Sequence, residues 1–179
     1  MKTENCVYNE NVVKQMLREI TCHVPALCYD TLPREGSSEP PFKGNWNQKE
    51  PLKYKNGEHL LYRKDDNMRF VSKPSTNTRN DNPWQEFNLL LINGEYADYT
   101  VRGKAGSTVY VYALIKGVAT RSRVGVFVDD YYADETELDE TKGLTKIELC
   151  KFVFEVDGEK TIRLMSKAGA IEIDTIYFK

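Results

Sequence analysis

The chain has 179 residues, of which 40% are hydrophobic and 29% charged, and its formal net charge is −2. That length fits one domain of ordinary size, and the composition supplies a normal core and excludes a chain disordered throughout. A slightly acidic balance without a clustered basic face argues against a nucleic-acid partner. No run approaches the roughly 20 apolar residues that a membrane-spanning helix needs.

The first residues, Met1 to Cys6, lack the apolar centre of a signal peptide. The chain therefore reads either as cytoplasmic or as an excised part of a longer secreted protein, extracellular or periplasmic. Residues 9–21 place Val12, Val13, Met16, Leu17 and Ile20 on one stripe at helical spacing. This predicts a short helix with Asn9 or Asn11 as its cap, within an N-terminal helical extension or linker over residues 1–23. Residues 33–58 and 72–83 are rich in Pro, Gly, Ser, Asn and Asp, which predicts loops. Trp46 lies in the first of them, and Trp84 directly follows the second.

From residue 86 onward the pattern becomes β. Residues 96–101 alternate, with Tyr96, Asp98 and Thr100 on one face. Residues 108–115 are rich in β-branched and aromatic side chains, and 122–128, 146–156, 160–165 and 170–178 continue the series. Asp129-Asp130 predicts a turn, and Asp157-Gly158 predicts a hairpin. The acidic run Asp134, Glu135, Glu137, Asp139 and Glu140 reads as a solvated loop. Strands at short intervals, with no intervening helical pattern, predict an all-β fold: a β-sandwich or jelly roll with a short N-terminal helix. There is no internal repeat.

The four cysteines, Cys6, Cys22, Cys28 and Cys150, form no C-x-x-C pair, and the only histidines are His23 and His59. This argues against zinc. The cysteines read as buried thiols, with one disulfide open to a secreted chain.

Several landmarks occur in an order that resembles a family 6 carbohydrate-binding module. Residues 93–101, Asn-Gly-Glu-Tyr-Ala-Asp-Tyr-Thr-Val, resemble that family's Gly-Glu-Trp-x-x-Tyr strand. Tyr62-Arg63 followed by Asp65-Asp66 resembles its Tyr-Arg-x-x-Asp segment. Ala105-Gly106-Ser-Thr-Val-Tyr-Val resembles its Gly-x-Tyr-x-Val strand, and Gly125-Val-Phe-Val-Asp-Asp its strand ending in Asp-Gly. Asp157-Gly158-Glu-Lys-Thr-Ile-Arg-Leu resembles its Gly-x-His-x-Leu-x-Leu hairpin. Residues 170–178 resemble its last strand. Each landmark is mainly a strand pattern, and their shared order carries the resemblance. It covers residues 24–179 and implies a non-catalytic jelly-roll module, usually attached to a glycoside hydrolase, that binds polysaccharide. Its partners would be a polysaccharide or an adjacent catalytic domain, with no nucleic acid and no membrane.

Sugar rings need flat aromatics against their C–H faces and polar groups for their hydroxyls. By the resemblance, two aromatics and an asparagine of the family's sugar site correspond to Leu90, Leu144 and Glu172. All three contacts are replaced, and Leu90 and Leu144 read as loop-end packing against the rest of the chain or another domain. The family's structural calcium site retains Asp174, while its two N-terminal carboxylates correspond to Pro25-Ala26-Leu27. One carboxylate falls short of the six to eight oxygens that calcium takes, so the expectation is no cofactor and no calcium. Trp46, Trp84, Tyr131 and Tyr132 are the candidate ligand-binding aromatics, each with an ordinary alternative as a loop anchor.

Catalysis needs a positioned acid, base or nucleophile. No carboxylate pair can be set across a cleft, no glycine-rich phosphate loop opens a helix, and neither histidine has a nucleophile context. The expectation is no enzymatic activity. Two functions remain: a carbohydrate-binding accessory module, or a degenerate module of the same fold that packs on a partner.

Overall fold

The computed structural model describes residues 18–19, 23–30, 36–37, 39, 41–43, 68–73 and 87–179. They form two six-stranded sheets. The first sheet runs β1 (Arg18–Glu19), β6 (Tyr96–Gly103), β11 (Gly158–Ala168), β8 (Ser122–Val128) and β9 (Tyr131–Leu138), with β3 (Phe42–Lys43) also on β6. The second runs β10 (Thr145–Val153), β7 (Thr108–Gly117), β12 (Ala170–Phe178), β5 (Phe87–Ile92) and β4 (Arg69–Ser72), with β2 (His23–Pro25) on β12. All pairings are antiparallel except β1 with β6. The chain is an all-β sandwich, as the strand pattern predicts.

Alternation along the strands builds the core. In β7, Val109, Val111, Ala113 and Ile115 are buried, while Tyr110, Tyr112, Leu114 and Lys116 between them are at least partly exposed. In β6, Ala97, Tyr99 and Val101 join the core, which leaves Tyr96, Asp98 and Thr100 on the opposite face. Between the sheets lie Tyr99, Ile162, Leu164, Leu89, Leu91, Ile173, Ile176 and Phe178, each essentially inaccessible. Each aliphatic side chain fully buried in this way contributes about 1.5–3 kcal/mol. The buried Tyr99 hydroxyl donates to the Ala26 carbonyl at 2.6 Å, so its one polar atom is satisfied inside the core.

The Asp129-Asp130 turn forms as expected. Both residues have positive φ, 51° and 69°, the arrangement that a tight turn between twisted strands favours. Asp129 accepts from the Thr161 N–H at 2.8 Å and from the Lys160 ammonium at 3.1 Å, which ties the turn to β11. Gly169 joins β11 to β12 at φ 65°, and a Cβ there would lie 2.8 Å from Ser122 Oγ.

Three local expectations are corrected. The acidic run is a loop only at its end: Asp134, Glu135 and Glu137 lie in β9, paired along β8 at the free edge of the first sheet, and Asp139 and Glu140 follow it. Its charges suit an edge strand, where they discourage pairing with another chain. Asp157-Gly158 does not close a hairpin, because β10 belongs to the second sheet and β11 to the first. Phe154 turns into the core there and ends the β10 ladder, while the Asp157 carboxylate accepts the Ala105 N–H at 2.7 Å. The segments 33–58 and 72–83 are not wholly loop, since Phe42–Lys43 is a strand and Ser72 ends β4.

The helix expected over residues 9–21 lies mostly outside the described residues. Within it, Arg18 and Glu19 pair as a strand with Val101 and Arg102. His23, the last residue of the expected extension, pairs with Tyr177. Cys28 and Cys150 are both buried, and Cys6 and Cys22 lie outside the described residues. Among the described residues no helix is long and apolar enough to cross a membrane.

Candidate functional site

The outer face of the first sheet carries an open depression. Strand register places Arg163 of β11 between Asp98 of β6 and Phe127 of β8, with Met165 beside Tyr96 in the next row. Arg163 donates through Nε to Asp98 Oδ1 at 2.8 Å and through Nη2 to Asp98 Oδ2 at 2.9 Å. This fork is the strongest geometry available to a guanidinium and a carboxylate. Arg163 Nη1 reaches Glu39 Oε2 at 3.2 Å and lies 3.7 Å from Asp130 Oδ1. The guanidinium carbon stands 4.0 Å from the centre of the Tyr96 ring. Burial alone would lower the Arg163 pKa, but the hydrogen bonds and charge of Asp98 outweigh it and the net shift is upward. Burial raises the Tyr96 phenol, with Glu39 and Asp98 adding to the rise and Arg163 opposing it.

Gly36, Ser37, Glu39, Phe127, Asp130, Arg163 and Met165 line the depression, whose volume is about 450 Å³. At its rim Tyr132 packs edge-on against Phe127, with ring centres 5.6 Å apart at 77°. Tyr132 is 57% exposed and Tyr131 is 81% exposed. Register sets Tyr132 opposite Phe127 and Tyr131 opposite Val128, so the Asp129-Asp130 turn holds both tyrosines and Asp130 at one corner. The corner offers an aromatic surface beside oriented carboxylates and a guanidinium, the two kinds of group that a sugar requires.

Of the three positions matched to the family's sugar site, two lie on the other sheet and Leu144 lies in the connection that enters it. Glu172 of β12 pairs with Leu90 of β5 on one side and with Lys116 of β7 on the other. Leu144 immediately precedes Thr145, which pairs with Ile115 next to Lys116. Leu90 is therefore not at a loop end: it sits within β5, half-buried, on the outer face of the second sheet. Glu172 is 6% exposed and fully engaged. Its Oε1 accepts from Asn88 Nδ2 at 2.7 Å and its Oε2 meets Lys116 Nζ at 2.8 Å. Asn88 is buried and its Oδ1 has no hydrogen-bond partner.

Asp174 meets Lys73 Nζ at 3.0 Å and accepts from Thr175 Oγ1 at 2.6 Å. Among the described residues no group of three or more His, Cys, Asp or Glu side chains is placed to hold a metal. Trp46 and Trp84 lie outside the described residues. The depression brings Asp130 together with residues that sequence reasoning did not single out, Glu39, Phe127 and Arg163; Tyr132 stands beside it against Phe127, while Tyr131, one position earlier in the strand, alternates to the opposite side. The available signal was the pair of charged residues, Asp98 and Arg163, at alternating positions of two predicted strands.

No protein-family model matches the chain, and no curated protein matches its sequence. Solved structures share its fold. One is a family 6 carbohydrate-binding module studied by dissection of its binding sub-sites, with a TM-score of 0.51 and 12% identity over 93% of this chain and 98% of that one. A second is a family 6 module from Clostridium cellulolyticum in complex with xylose, with a TM-score of 0.51 and 10% identity over 90% of this chain and 99% of that one. A ruminal GH26 endo-β-1,4-mannanase matches 89% of this chain with 25% of its own length, at a TM-score of 0.52 and 12% identity. The chain thus has the β-sandwich fold of family 6 carbohydrate-binding modules, in keeping with the ordered landmarks around Gly94-Glu95-Tyr96.

Proposed function

We propose that the protein is a non-catalytic carbohydrate-binding module that serves a glycoside hydrolase by targeting polysaccharide, and that it binds through the outer face of its first sheet. The observation that carries this reading is the corner where exposed Tyr132, packed on Phe127, adjoins a depression lined by Glu39, Asp130 and Arg163. A sugar ring rests on Tyr132, and its hydroxyls donate to the carboxylates of Glu39 and Asp130. The two modules with similar folds cover nearly the whole chain and support the same class of function. On this reading the chain works outside the cell or in the periplasm, as part of a longer protein.

Affinity electrophoresis of the full chain through gels containing xylan, mannan or mixed-linkage β-glucan tests the proposal. Retardation by at least one glycan is expected, with a loss of about tenfold or more in Tyr132→Ala, the scale of an aromatic contact removed at a binding hot spot. Absence of retardation on every polysaccharide would sink the function. Retardation that survives both Tyr132→Ala and Asp130→Ala would sink the site alone.

The engagement of Glu172 by Asn88 and Lys116 favours a second reading, a degenerate module that packs on a partner domain. At the positions matched to the family's sugar site, the polar group is buried and occupied. That reading expects no glycan binding, together with a rise in the melting temperature of an adjacent catalytic domain when the two are joined.

A further inference from the structure

The outer face of the second sheet has a different chemistry. Alternation along β7 turns Tyr110 and Tyr112 outward. Register then sets Tyr112 beside Tyr177 of β12, Tyr177 beside His23 of β2, and Lys151 of β10 beside Tyr110. The result is a strip of aromatic rings across neighbouring strands, with the His23 and Tyr177 ring centres 6.1 Å apart. Lys146 Nζ stands 3.7 Å from the centre of the Tyr177 ring and 5.5 Å from that of Tyr112. Lys179 Nζ stands 5.7 Å from the Tyr112 ring.

Both ammonium groups therefore flank one ring, that of Tyr112. Neither has an ion-pair partner among the described residues. The neighbouring carboxylate on this face, Glu148, is engaged by the Tyr112 hydroxyl, and that bond is the first cause of the raised Tyr112 pKa. Partial desolvation, and then Lys179, hold the Lys146 pKa below its ordinary value. Like charges gathered on an apolar floor repel, and an anion placed between them relieves both. The rings alongside give the flat surface that the C–H face of a sugar prefers. An acidic peptide would use the ammoniums and leave the aromatic strip idle.

We propose that this face is a second, separate binding site whose ligand is an anionic glycan: a sugar unit bearing a carboxylate or a sulfate ester, its anion bridging Lys146 and Lys179 while its ring lies against Tyr110 and Tyr112. The site shares no residue with the depression on the first sheet and does not depend on it.

The test is affinity electrophoresis of the full chain at low ionic strength with polygalacturonate, with a sulfated galactan and with a neutral galactan, alongside calorimetric titration with poly-L-glutamate. Retardation by polygalacturonate, the sulfated galactan or both is expected, and which of them acts identifies carboxylate or sulfate as the anion. The Lys146→Gln/Lys179→Gln double variant is expected to weaken that retardation at least tenfold. Lys146→Arg should preserve it. Far-UV circular dichroism on each variant confirms that these surface changes leave the fold intact. No retardation by either anionic polysaccharide, or retardation undiminished in the double variant, overturns the proposal. Poly-L-glutamate bound as tightly as the glycan also overturns it and assigns the face to an acidic polypeptide.

Discussion

On the outer face of the first sheet, Arg163 is gripped by Asp98 through two hydrogen bonds and approached by Glu39 and Asp130. On the outer face of the second sheet, Lys146 and Lys179 crowd one another above tyrosine rings. The first arrangement fixes its side chains before any ligand arrives, so a neutral ligand meets oriented acceptors at little ordering cost. The second leaves positive charge unanswered, which lowers the cost of bringing in an anion. A net charge of −2 conceals this division, because the acidic edge strand β9 offsets the lysines of the opposite face.

The largest expected effect comes from breaking the closed network. Asp98 and Arg163 have side chains only 5% and 13% exposed. Removing one partner of such a pair leaves the other buried and unmatched, so Asp98→Ala should lower the unfolding free energy by about 3–5 kcal/mol, read as a fall in the urea midpoint. A loss below about 1 kcal/mol would mean that Arg163 re-pairs with Glu39 and Asp130 at little cost. The first face would then be adaptable, and the contrast with the second would weaken.

Glu172 is the next largest, and it sharpens where the second face stops being open. It joins Asn88 and Lys116 at the far end of the same sheet as the lysine pair. Glu172→Ala deprives the buried Asn88 amide of its acceptor, while Lys116 can turn to water. The expected loss is about 1–3 kcal/mol, the cost of an unsatisfied buried donor, measured by urea unfolding. A near-zero effect would class this row with the lysine platform instead of with the first sheet's network.

The strands of the sandwich were legible wherever side chains alternate by burial, as in β7. The order of the landmarks pointed to the same fold. β9 was not legible, because an edge strand needs no apolar face and Asp134, Glu135 and Glu137 carry the composition of a loop. Asp157-Gly158 carried a true turn signal, but only long-range pairing decides whether such a turn joins neighbours in one sheet or crosses between two. The aromatic corner was half legible: Tyr131 and Tyr132 stood out beside a turn. Arg163, Asp98 and Glu39 come from separate parts of the chain, and nothing local in any of them signals the others. Leu144 lies at a loop end, as expected, whereas the place of Leu90 on a sheet face depended on register, since a one-residue shift moves every side chain to the other side.

Beneath the second sheet, Cys150 offers a pH test of the wall that carries the lysines. Burial, with the nearby charges of Asp134 and Glu148, pushes its thiol from an ordinary 9.0 up to about 12. The folded state therefore holds the proton that the unfolded chain releases above about pH 9. The stabilisation that follows is complete below that pH and is lost progressively as the pH rises toward 12. Urea midpoints measured at intervals from pH 8 to 10.5 should fall more steeply for the wild type than for Cys150→Ala. Equal slopes would mean that water reaches the thiol and that the β9–β10 edge opens.

The smallest expected effect on stability carries the opposite sign and bears most directly on the contrast between the faces. Lys146 is stacked on Tyr177, a contact that favours folding, and it also repels Lys179, which opposes folding. Its lowered pKa reports that the charged form is disfavoured in the folded chain. Lys146→Gln removes the repulsion and keeps a side chain of similar reach over the ring, so the melting temperature should stay level or rise, whereas Asp98→Ala lowers it. Added salt should raise the wild-type melting temperature by screening the two ammoniums, and should do so less for the variant. A melting temperature that falls in Lys146→Gln and does not respond to salt would show that the lysine is held by its aromatic contact. The unanswered charge on the second face would then be no different in kind from the matched charge on the first.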